Sequence, residues 1–247
     1  MSDPETGPDS GQTFLSHLIE LRERLLKAVA AVLVVLVGLL PFADRLYQFI
    51  AEPLLQRLPQ GSHMVAIEVA SPFVTPVKLA AVTALFLAMP VVLYQLWSFV
   101  APGLYRHERK LALPLLVASV VMFYLGCAFA YFLVLPKVFA FLLGITPTGV
   151  SMMTDIGKYL DFVLTMFFAF GLCFEVPVIV FMLALLGWVG AEQLSRQRPY
   201  VILGVFVVAA VVTPPDALSM LMLAIPMCLL YELGVLAVRV FLNRRKA

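Results

Sequence analysis

The stretch Phe170-Gly-Leu-Cys-Phe-Glu-Val-Pro177 sets a carboxylate, Glu175, near the middle of an apolar run from Tyr159 to Val189, in which the only other acid is Asp161 near the start. Such a run exceeds the about 20 apolar residues that cross a hydrocarbon core of about 30 Å. An ionised side chain at the centre of a spanning helix costs roughly 2.5 to 3.5 kcal/mol on insertion scales, so intramembrane acids face protein or a wet cavity. Glu175 therefore marks either a functional group or a carboxyl hydrogen-bonded inside a helix bundle for structural reasons.

Outward from that run, the composition repeats the message. Hydrophobic residues make up 62% of the 247 residues and charged ones 13%, with a mean hydropathy of +1.00, whereas soluble domains are only about one half apolar. The expected class is an all-α polytopic membrane protein. A net charge of +2, with bases recurring between apolar segments, gives no reason to expect nucleic acid as a partner. Cys127, Cys173 and Cys228 sit in different apolar runs with no CxxC spacing and no nearby histidine. They read as packing residues, and neither a metal site nor another cofactor is expected.

Residues 1–12 are polar and acidic, with Asp3, Glu5 and Asp9 and no base. They fit neither a secretory signal nor a transit peptide and are expected to form a flexible tail ahead of one transmembrane domain over 13–247. Six spans are predicted, at about Leu25 to Phe42, Val77 to Val100, Leu113 to Leu135, Leu160 to Trp188, Pro199 to Val212 and Ala217 to Phe241. With both termini inside, twelve Lys and Arg fall on the cytoplasmic side and five opposite. This asymmetry satisfies the positive-inside rule and points to a bacterial-type inner membrane with both ends cytoplasmic.

The spans are unequal. At 1.5 Å per residue the fifth reaches only about 21 Å and the fourth about 43 Å, and Pro177 gives the fourth a cause for a kink. A concave molecule is expected, with short fifth and sixth spans and a locally thinned membrane beside them. The external segment of about 43–76 is long enough for a cap, and Leu46, Phe49, Ile50, Leu54, Leu55 and Leu58 recur at helical spacing. In Thr213-Pro-Pro-Asp216, Asp216 is placed to cap the last helix.

On the cytoplasmic side, an amphipathic lead-in from Thr13 to Val29 places Glu20 with Arg24, and Glu23 with Lys27, at the i,i+4 spacing of ordinary surface pairs. By pattern alone, Glu108 is a solvated loop acid among basic neighbours.

The segments His17-Leu-Ile-Glu-Leu-Arg22, Ala70-Ser-Pro-Phe-Val-Thr-Pro-Val-Lys78, Tyr94-Gln-Leu-Trp-Ser-Phe-Val-Ala-Pro-Gly-Leu-Tyr-Arg-His-Glu108, Phe174-Glu-Val-Pro177, Arg198-Pro-Tyr200 and Thr213-Pro-Pro-Asp216 occur in that order. Together they resemble the TatC family, the multispanning receptor subunit of the twin-arginine protein translocase. The resemblance runs from about His17 to Arg239. It implies a receptor for the twin-arginine signal peptides of folded cargo, driven by the proton-motive force and assembling with TatA and TatB type single-span subunits and with further copies of itself. In this family the signal's arginines meet acids that match Glu20 and Glu108, supported by Arg22 and by the loop around Phe99, Pro102 and Leu104. Pro53, Pro90 and Tyr131 match positions important in the family and read as shaping residues. Glu175 would lie on the concave face that receives the signal's apolar part or a partner helix. One departure is Met220, where some relatives carry Gln after the Ser matching Ser219.

Two other classes compete. An ion-coupled secondary transporter could carry protons on Glu175, but no internal inverted repeat accompanies it. An intramembrane hydrolase would need a nucleophile with its base, yet His17, His63 and His107 lie outside the spans.

Overall fold

The computed structural model describes residues 10–55, 64–100, 111–145, 154–213 and 217–246. These residues are almost wholly helical. Helix α1 (Ser10–Leu39) absorbs the amphipathic lead-in and the first span without a break, because no proline or glycine pair interrupts 10–37. Pro41 then forces a 3-10 turn at Leu40–Phe42, and helix α2 (Ala43–Leu55) follows. The second span is two helices, α3 (Ser71–Leu87) and α4 (Met89–Val100), bent by 48°.

The third span is α5 (Ala112–Phe129), a π turn at Ala130–Val134 and α6 (Leu135–Gly144). The sequence ends the third span at about Leu135, but the π turn takes up the register that Pro136 disturbs and the helix continues. The fourth span, α7 (Ile156–Leu185), runs through Pro177 as one continuous helix of 30 residues. A short α8 (Ala191–Arg196) leads into α9 (Arg198–Val212) and then α10 (Ala217–Lys246). Among the described residues four apolar stretches are long enough to cross a membrane, the bent α3/α4 pair makes a fifth, and the 15-residue α9 is a shorter apolar helix. The predicted six spans thus have six structural counterparts. Shortness belongs to α9; α10 has 30 residues, 23 of them in the apolar stretch Ser219–Phe241.

Helix α7 lies at the centre, packed on α5 and α10, while α1 lies against α3 and α4. Small residues permit the closest approaches, as expected where dispersion replaces the hydrophobic effect between helices. A Cβ on Gly126 would fall 2.4 Å from the Phe170 carbonyl oxygen, and one on Gly171 would fall 2.7 Å from the Phe123 ring. On the other flank, a Cβ on Gly234 would lie 3.0 Å from the Pro177 Cα. Outside the spans, Met64–Val65 (β1) pairs in parallel with Thr154–Asp155 (β2), a link that an all-helical reading does not anticipate. Asp155 fastens it. Its carboxylate accepts from the Lys158 amide at 2.9 Å, capping α7, and from the Ile67 amide at 3.1 Å. These backbone donors hold the Asp155 carboxyl below its ordinary range.

Candidate functional site

Glu20 and Arg22 both lie on α1, one turn before the apolar stretch begins. Glu20 is half-buried and bound by its own neighbour: Arg24 reaches its Oε1 with Nη2 at 2.5 Å and with Nε at 2.9 Å. Arg22 is exposed on the same helix. Beside Arg24 an apolar cleft of about 130 Å³ opens between α1 and α4, walled by Leu21, Leu25, Ala28, Val92, Leu96 and Phe99. The structure therefore brings Phe99 to the acid-bearing face of α1, although some eighty residues separate them in the chain. Pro102, Leu104 and Glu108, and likewise Asp216, lie outside the described residues.

Glu175 points into the bundle and is 7% exposed. Its side chain meets the hydroxyl of Ser119 on α5. Ser119, itself buried, accepts from the Trp97 indole Nε1 on α4 at 3.1 Å. Three spans are thus joined by a chain of polar atoms inside otherwise apolar surroundings. One atom of that chain stays open: Glu175 Oε1 is buried with no hydrogen-bond partner among the described residues. A buried acceptor left so is costly and calls for a reason.

The shaping residues form a second pattern. Pro90 has no N–H for the carbonyl four residues earlier, that of Phe86, and the hydroxyl of Tyr124 on α5 donates to this carbonyl at 3.0 Å. Pro53 in α2 leaves the Phe49 carbonyl in the same position. The Tyr131 hydroxyl, from the π turn, reaches it at 3.4 Å while its ring stacks on Phe49 at 5.6 Å. Next to it, the Tyr159 hydroxyl donates to the Ile50 carbonyl at 2.7 Å. Phenols from neighbouring helices supply what prolines withhold. Of this set the sequence singled out Pro53, Pro90 and Tyr131; Tyr124, Ser119 and Trp97 were missed. A donor-bearing side chain inside an apolar span, with a proline in another, is the signal that could have found Tyr124.

A family model described as Sec-independent protein translocase protein (TatC) matches residues 16–226. The chain belongs to the TatC family. It is 56% identical over 230 residues to the TatC protein of Azotobacter chroococcum mcd 1, covering 92% of this chain and 90% of that one. To the TatC protein of Escherichia coli (strain K12) it is 50% identical over 233 residues, covering 94% and 90%. A crystal structure of twin arginine translocase receptor TatC superposes with a TM-score of 0.81 at 35% identity, over 91% of this chain and 98% of that one. As a TatC protein the chain is a membrane component of the Sec-independent translocase and not an enzyme, which sets aside the hydrolase reading. Membership also implies a complex with other subunits of that translocase.

Proposed function

We propose that this TatC chain is the receptor of its translocase, docking twin-arginine signal peptides at the cleft between α1 and α4, with both termini in the cytoplasm of a bacterial inner membrane. The observation that carries the reading is the pairing of Glu20 with Arg24 at the rim of an apolar cleft ending at Phe99. A guanidinium already occupies the carboxylate, so the site is built for arginine, and docking exchanges Arg24 for an arginine of the signal. Glu108 would meet the second arginine, with Arg22, Pro102 and Leu104 shaping the surroundings, and the signal's apolar part would follow the cleft. TatA and TatB type subunits and further copies of the chain complete the complex, with α9 and α10 as the docking surface.

The test is binding of a labelled twin-arginine peptide to purified variants that insert normally. Each of Glu20→Gln and Glu108→Gln should weaken binding roughly tenfold or more, because hydrogen bonds to charged groups contribute about 1.5–3 kcal/mol. Arg24→Gln should strengthen it by freeing Glu20, and added salt should weaken it throughout. Unchanged affinity in the Glu20/Glu108 double variant refutes the assignment.

A further inference from the structure

At the end of the bundle where α8, α9 and the last turns of α10 meet, Trp188 and Tyr200 are 72% and 75% exposed. Amphipathic aromatic rings concentrate at the level of lipid headgroups, so these two mark that depth on the fold. At the same level a groove of about 400 Å³ runs along α10, with Arg198, Glu232 and Arg239 at its polar mouth. Below the mouth, Leu229, Leu233 and Leu236 form a continuous stripe and remain 60%, 57% and 55% exposed.

The two arginines differ in what holds them. Arg198 Nη2 binds Glu232 at 2.7 Å, while its Nε is buried without an acceptor among the described residues. Arg239 donates through Nη2 to the neutral Ser195 hydroxyl at 2.5 Å and has no carboxylate within ion-pair distance among the described residues, so its charge is uncompensated. One uncompensated cation, Arg239, therefore sits directly above an apolar trough. We propose that this groove is a binding site for an anionic glycerophospholipid, whose phosphodiester sits on Arg239 and whose acyl chain lies along Leu229, Leu233 and Leu236. Basic pockets at the headgroup level between spanning helices favour such lipids, and snorkelling arginine stems let the heads stay at that depth. Lipid held there lies beside the short α9, where a 15-residue helix meets the bilayer.

Native mass spectrometry of the full chain in detergent, titrated with phosphatidylglycerol or with phosphatidylcholine of the same acyl chains, tests this. We expect phosphatidylglycerol to bind preferentially, Arg239→Gln to cut that affinity about fivefold, and Arg239→Lys to retain most of it. Leu233→Trp, which fills the trough and leaves the charges alone, should also lower it, and Arg45→Gln on helix α2 should not. Millimolar inorganic phosphate should fail to displace the lipid. The proposal is overturned by equal binding of the two lipids, by a preference that survives Arg239→Gln, by displacement with phosphate alone, or by lipid adducts unaffected by Leu233→Trp, the last being the outcome if the trough seats a partner helix instead.

Discussion

Pro90 bends the second span, and Tyr124 makes the bend affordable by meeting the Phe86 carbonyl. Tyr124→Phe should lower stability in detergent by about 1 kcal/mol, the usual net worth of one hydrogen bond. In a Pro90→Ala background the restored amide reaches the same carbonyl, so the cost should shrink, giving a coupling of at least about 0.5 kcal/mol in a double-mutant cycle. Equal costs in both backgrounds would mean the hydroxyl serves some other purpose. Glu175 raises the opposite question, since its open Oε1 weakens the fold it sits in. Glu175→Met keeps the volume and removes the orphan, and Ser119 retains Trp97; it should raise stability by about 1–2 kcal/mol while export falls. Glu175→Gln should leave both near the native level. If Gln abolishes export as fully as Met, ionisation and not hydrogen bonding is what the site requires. Glu175 stood out in the sequence because a carboxylate breaks an apolar run. Ser119 and Trp97 did not, because neither disturbs hydropathy and their meeting depends on how three helices pack.

Between elements, glycine decides how near α5 and α7 can come. Gly126→Ala drives a methyl into the backbone oxygen of Phe170, which cannot swing aside as a side-chain tip would, so a loss of about 1–3 kcal/mol or more is expected. Gly204→Ala is the contrast: it lies within α9 with nothing within 4 Å of the added carbon, and should gain about 0.5–1 kcal/mol from helix propensity. Thermal unfolding of both variants checks the pair, and similar shifts would remove the case for a glycine-set interface. Apolar periodicity located every span but missed the break beside Pro90 and ended the third span at Pro136, where the helix continues; Pro177, too, lies inside a span. A proline's local effect is the same in each, yet a bend, a π turn and an unbroken helix resulted. What differs is the neighbour available to repair the backbone, and that is a tertiary property.

At the scale of the whole molecule, the segments ahead of α3 and of α7 are tied by a link that no periodicity announces, because each partner strand has two residues. Asp155 is its pH-sensitive point. Its folded value is depressed, so the stabilisation is fully present above the ordinary carboxylate value of about 3.9 and is lost as pH falls through the folded value. The protection of the Ile67 and Lys158 amides, their exchange rates taken relative to the intrinsic rate at each pH, should therefore fall on acidification in the native protein and lose that dependence in Asp155→Asn; identical protection profiles would show that the carboxylate is not the fastener. The same link has a consequence for biogenesis. Ile67 and Asp155 are 88 residues apart in the chain, and at about 5–20 residues per second the ribosome needs roughly 4 to 18 s to make the second after the first. Throughout that interval α2 and β1 have been made but their fastener has not, so the nascent chain passes through a stage at which the segment between α1 and α3 can still be captured by a chaperone or cut by a protease, and the window closes only when α7 begins to emerge.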